Sequence, residues 1–233
     1  IRGINNRVQL SEAEAIMQKR INERHMLSGV TIINPSSVFI GAEVEIGTDT
    51  VIASNVTLAG NTKIGSGCTV EMGCRIEDSV IGDNVSVLNS VILGSEIGEG
   101  TSVGPFAYVR PGCAVGRNVK IGDFVEIKNV RIDDGTKISH LTYLGDADIG
   151  RNVNFGCGTV TCNYDGKDKF RSVIGDNVFV GCNTNLVSPV NVGDGAYIAA
   201  GSTITDDIPD KNLAIARARQ VNKNDWKGNK YNA

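Results

Sequence analysis

The chain has 233 residues, of which 41% are hydrophobic, and a formal charge of −3. That is enough for one large domain with a sizeable core, and it argues against a disordered chain, a membrane-embedded chain, and a general nucleic-acid binder that must neutralise many phosphates. Its 24 Ile and 26 Val against 9 Leu, with 28 Gly, point instead to many short strands and frequent turns, because β-branched side chains are stiff and suit strands.

The six cysteines form no CxxC pair and no regular framework, and they read as reduced thiols in a cytoplasmic protein. The sequence carries no signal peptide and no membrane-spanning run. It opens at Ile1-Arg2 without a methionine, which reads as a processed form or a piece of something longer.

Residues 11–26 predict a helix. Ser11 and Glu14 have the spacing of a capping box, Ala13, Ile16, Met17 and Ile21 form an apolar stripe, and Gly29 stops it. Residues 1–29 are thus a linker with a helix. From Ile40 the aliphatic spacing becomes six, through Ile46, Ile52, Leu58, Ile64, Val70 and Ile76. After short steps it resumes from Ile97 to Ile204.

A six-residue period predicts an all-β fold, a parallel β-helix with three hexads and about 18 residues per turn. A single hexad cannot bury its aliphatic, so only the stack is stable. The domain spans 30–208, and Ile40 to Ile204 allows about eight or nine turns. Thirteen residues separate Thr161 from Ile174 where six are expected, so 162–173 read as a loop leaving the prism. Residues 209–233 form a basic tail; six Lys/Arg and one Asp fall between 211 and 233.

The winding doubles as a map. Arg110 and Lys128 each follow a core aliphatic and lie 18 residues apart, so they should stack on one face. Thr161 falls on that face, bringing Lys167 and Lys169 with its loop. Two stacked cations cost free energy unless an anion sits between them, which predicts a site for a sugar phosphate or nucleotide diphosphate. His140 heads an outward row with Cys157, Cys182 and Ala200, a shallow groove suited to a thin ligand such as a pantetheine arm. A histidine there is a natural general base for an amine attacking a thioester. The only other histidine is His25, so one chain cannot build a three-histidine zinc site. Cys68, Cys74 and Cys113 fall in small packing slots.

Gly3-Ile4-Asn5-Asn6-Arg7, Val109-Arg110-Pro111-Gly112, His140-Leu141-Thr142-Tyr143-Leu144-Gly145-Asp146 and Cys162-Asn163-Tyr164-Asp165-Gly166 resemble the bifunctional N-acetylglucosamine-1-phosphate uridylyltransferase / glucosamine-1-phosphate acetyltransferase family. The resemblance runs over essentially the whole chain. It implies the linker helix and the C-terminal acetyltransferase domain, a left-handed β-helix, without the N-terminal uridylyltransferase domain. The implied reaction moves the acetyl group of acetyl-CoA to the 2-amino group of glucosamine 1-phosphate, for UDP-N-acetylglucosamine and cell-wall precursor synthesis.

By resemblance, His140 is the general base, Arg110 and Lys128 hold the 1-phosphate, and Tyr143 and Asn154 hold the sugar. Asn163 and Tyr164 meet the thioester end of acetyl-CoA, and Lys169 positions substrate or cofactor. Cys157, Cys182 and Ala200 line the cofactor groove, with Cys157 where the family commonly has Ala and Cys182 where it has Ser. Arg217 meets the CoA phosphates. A homotrimer with sites between subunits is implied, as is Asn5 as a ligand to the Mg²⁺ of the absent domain. Two other readings stay open: another hexapeptide acyltransferase, and a non-catalytic trimeric scaffold.

Overall fold

The computed structural model describes residues 3–224. Helix α1 runs from Arg7 to Leu27, starting four residues before the expected 11. Asn6 is its N-cap: Asn6 Oδ1 accepts from the Gln9 N–H at 2.9 Å, and Gln9 Oε1 accepts from the Asn5 N–H at 2.7 Å. This pair does the work assigned to Ser11 and Glu14, because Arg7 to Leu10 are already helical and leave no free N–H groups at Ser11 to cap.

Of the expected stripe only Ile21 is buried. Ile16 and Met17 are 49% and 48% exposed, whereas Ile21, Asn22 and His25 are buried. The helix meets the first turn of the domain largely through side-chain amides. Gln18 Nε2 donates to the Ile40 carbonyl at 3.2 Å, and its Oε1 accepts from the Ile40 N–H at 3.0 Å. Asn22 Nδ2 donates to the carbonyls of Pro35 and Val38 at 2.9 and 3.2 Å. These amides occupy backbone groups that an open first rung would leave unpaired. Burial, and then the charge of Arg24, hold the His25 imidazole below its usual pKa.

The rest is a left-handed parallel β-helix of about ten turns with three faces. Most strands have two or three residues and pair in parallel with the strand one turn away. The first face climbs from Ile32 over Ile52 and Val70 to Ile198 and Ala214. The second climbs from Ile40 over Leu58 to Leu186 and Ile204. The third climbs from Ile46 over Ile64 to Ile174 and Val192. The hexad aliphatics from Ile40 to Ile204 form the core, with only Ile46 partly buried. A strand at Thr31–Ile32 precedes them and one at Leu213–Ala214 follows, which makes about ten turns rather than eight or nine. The expected tail from 209 therefore begins inside the solenoid; its residues 225–233 lie outside those described.

Corners of the prism take left-handed backbone, mostly at Asn or Gly, which tolerate it. At one corner Phe106, Phe124 and Leu141 stand there instead, with φ of 58°, 54° and 44°. Register stacks them one above the other, all three are more than half exposed, and the two phenyl rings stack at 5.5 Å.

The insertion after Thr161 is a small hairpin. Tyr164 bridges Lys169 antiparallel, and Asp165 Oδ1 shapes the tip by accepting from the Lys167 and Asp168 N–H groups at 2.8 and 2.7 Å. Arg171 ties its base down: Nε and Nη2 each reach Asp148 at 2.6 Å, while Nη1 donates to the Asn129 carbonyl and Nη2 to that of Ala147. The winding then resumes with Ile174 over Ile149.

Candidate active site

On the second face Val109 pairs with Ile127 and Ile127 with Leu144, which sets Arg110 over Lys128 and Lys128 over Gly145. Stacking of the two cations is as expected, but their charge balance is not. Arg110 Nη1 lies 3.0 Å from Glu126 Oε1, and Lys128 Nζ lies 3.1 Å from Asp146 Oδ2. Carboxylates of the chain itself offset the repulsion that was expected to require a bound anion. Of the expected cations, Lys167 and Lys169 remain without a carboxylate partner among the described residues. The hairpin brings the Lys169 side chain beside Lys128. Lys167 sits at the exposed hairpin tip.

Asp146 organises this face. It is 7% exposed and accepts from Lys128, from Asn129 Nδ2 at 2.6 Å, and from Asn163 Nδ2. Burial pushes its carboxyl up, yet the three donors together outweigh that and hold it below the usual carboxylate range. One side chain therefore fixes both Lys128 and Asn163. Gly145 helps: the Tyr143 hydroxyl and the Asn163 amide crowd the space that a Cβ there would need. Asp146 closes the His140–Asp146 motif, where nothing in the local sequence marks its role. The register contained the signal, since 129, 146 and 163 stand one above another.

The first face carries the row of His140. Ile138 pairs with Phe155, Phe155 with Val180, and Val180 with Ile198, so His140, Cys157, Cys182 and Ala200 stack as expected. His140 is outward and 56% exposed, Cys157 is half-buried, and Cys182 is exposed. Arg217 reaches the far end of this row, with its Cδ 3.7 Å from where a Gly201 Cβ would stand. At the near end, Asp123 pairs in register with His140, and its Oδ1 lies 2.5 Å from His140 Nδ1. Asp123 was not singled out from sequence, although it stands on the same row.

Not every expected residue joins. Tyr143, Asn163 and Lys169 gather around Lys128, with Tyr164 exposed on the hairpin. Asn154 lies on the first face, in register with Lys137 and Phe179, around the corner from Arg110 and Lys128. Cys68, Cys74 and Cys113 are buried, which pushes their thiols up. Asn5 is exposed at the start of α1, and no group of three His, Cys, Asp or Glu side chains among the described residues could hold a metal. The residues present do not build a Mg²⁺ site around Asn5. No helix among them is long and apolar enough to cross a membrane.

Residues 94–129 and 171–206 match the family described as bacterial transferase hexapeptide (six repeats). The chain is also 58% identical over 226 residues to the bifunctional protein GlmU of Clostridium botulinum (strain Langeland), and 60% identical over 226 residues to that of Acetivibrio thermocellus. Each match takes in 97% of this chain but only 50% and 49% of the relative, and the matched part is C-terminal. The chain is a hexapeptide-repeat homologue of that half. It thus spans about half the length of the curated relatives it matches. Among solved structures, Francisella novicida UDP-N-acetylglucosamine acyltransferase is similar at a TM-score of 0.56 and 16% identity, over 80% of this chain and 67% of that one. A second UDP-N-acetylglucosamine acyltransferase gives 0.53 and 18%, over 80% and 71%. With these the chain shares the fold.

Proposed function

We propose that this chain transfers the acetyl group of acetyl-CoA to the 2-amino group of glucosamine 1-phosphate, giving N-acetylglucosamine 1-phosphate and CoA. The observation that carries this reading is an exposed imidazole, His140, at the head of a row of small side chains, next to a face on which Arg110 stacks over Lys128. The amine attacks the thioester carbonyl, His140 takes its proton as the C–N bond forms, and the proton passes to the departing CoA sulfur as the C–S bond breaks. Arg110, Lys128 and Lys169 hold the phosphate, Tyr143 and Asn154 the sugar. Asn163 and Tyr164 meet the acetyl end, Cys157, Cys182 and Ala200 wall the pantetheine, and Arg217 pairs with CoA phosphates.

The site lies between subunits of a homotrimer. Two features support this: Asn154 is on a different face from Tyr143 and the phosphate-binding cations, and Phe106, Phe124 and Leu141 keep apolar side chains exposed in a backbone conformation that disfavours them. Within a longer, cytoplasmic protein, uridylyl transfer with Mg²⁺, and any ligand role of Asn5, belong to the other half. The two halves together would supply UDP-N-acetylglucosamine for cell-wall precursors.

A thiol-release assay with acetyl-CoA tests the reading. Release is expected with glucosamine 1-phosphate. Activity on serine or a sugar nucleotide alone would overturn the acceptor assignment. A failure to bind CoA thioesters in calorimetry would point to a scaffold.

A further inference from the structure

Asp123 closes the strand Lys120–Asp123 one turn away from His140. Several local features hold the two residues together. The Leu141 N–H donates to the Asp123 carbonyl at 2.9 Å, and Thr142 Oγ1 donates to the His140 carbonyl at 2.7 Å. Gly122 lets the two turns approach, because a Cβ there would run into the Ser139 carbonyl. The outcome is the 2.5 Å contact between Asp123 Oδ1 and His140 Nδ1, with the carboxylate 35% exposed. The hydrogen bond with His140 is the chief reason the Asp123 carboxyl lies below its usual range, so Asp123 is ionised at neutral pH. An ionised carboxylate can only accept, and Nδ1 must then carry the hydrogen.

We propose that Asp123 is a positioning residue for acetyl transfer: it fixes His140 as the Nδ1–H tautomer and leaves the Nε2 lone pair to take the proton of the attacking amine. This rests on the acetyl-transfer reading. An imidazole without such a partner samples both tautomers and several ring orientations, and its Nε2–H form has no lone pair at Nε2. An aspartate serves serine hydrolases in the same way from a buried position. Here the carboxylate touches water, so its electrostatic help to the imidazolium is screened and orientation is its larger contribution.

The test uses the whole chain with Asp123→Ala and Asp123→Asn, read by steady-state kinetics and by ¹⁵N NMR of the imidazole. Asp123→Ala should lower kcat with glucosamine 1-phosphate by about 10- to 100-fold, less than the full general-base contribution of roughly 10²–10⁴, with both KM values little changed. Asp123→Asn keeps the shape and an acceptor oxygen but adds an NH₂ that can donate to Nδ1 and favour the Nε2–H tautomer, so it should recover only part of that loss. The neutral wild-type ring should show its proton on Nδ1, and Asp123→Ala should mix the tautomers. A wild-type kcat in Asp123→Ala, or an Nε2–H ring in the wild type, would overturn the proposal. Should the wild type show Nδ1–H yet fail to acetylate glucosamine 1-phosphate, the acetyl-transfer reading falls, and the reaction role of Asp123 with it.

Discussion

Asp146→Ala offers the sharpest test of how the cation face is held. The substitution removes the acceptor of Lys128, Asn129 and Asn163 at once, while the Lys128 and Asp146 side chains are only 18% and 10% exposed. Fully exposed pairs contribute about 0–1 kcal/mol and breaking a buried one costs about 3–5 kcal/mol, so this site at the edge of burial should lose about 2–3 kcal/mol. For a chain of this size that corresponds to a fall in Tm of about 4–12 °C. Calorimetry reads it, with Glu45→Ala as control: that side chain pairs with Lys63 at 3.1 Å with both partners more than half exposed, and should cost no more than about 0.5 kcal/mol. The pH dependence has a definite sign. Asp146 has a depressed carboxyl pKa, so its contribution is present above the usual carboxylate range and disappears as pH falls through the folded value; the gap between wild type and variant should close in acid. A variant within about 0.5 kcal/mol of wild type at neutral pH, or a gap that widens in acid, would refute the hub.

Other outcomes follow from the same geometry. His140→Ala should keep the fold and lose about 10²–10⁴-fold in kcat; near-normal turnover would remove it from the reaction. Phe124→Asn relieves an unfavourable backbone conformation and takes an apolar ring off the corner, so light scattering should find the assembly weakened while the chain itself melts no lower. An unchanged oligomer would separate that corner from assembly. Iodoacetamide should label exposed Cys182 first and leave buried Cys68, Cys74 and Cys113 intact. Acetyl-CoA should slow labelling of Cys182 and Cys157, measured by peptide mass spectrometry, and equal rates would take the cofactor off that row.

Much of this was legible in the residues because the winding turns spacing into position. Counting sixes placed Arg110 over Lys128, and His140 in line with Cys157, Cys182 and Ala200, without any knowledge of side-chain geometry. The insertion after Thr161 was legible as a failure of the same count. The counter-charges were missed because only cations were mapped; Glu126 and Asp146 obey the same arithmetic. The seating of helix α1 escaped for a different reason. It is seated by Gln18 and Asn22, and apolar periodicity has no sensitivity to a contact made by amides. Asp123 stood on a known row, but a carboxylate gains meaning only when a proton donor is placed against it, and that depends on rotamers.

The way Gln18 and Asn22 meet the first rung has a consequence for the molecule as a polymer subunit. A helix of stacked rungs has two raw ends, each able in principle to recruit the end of another molecule and extend without limit. Two side-chain amides imitate a missing strand at one end and so terminate the stack. Trading both for alanine would uncap it, and sedimentation should then reveal molecules associating through that end.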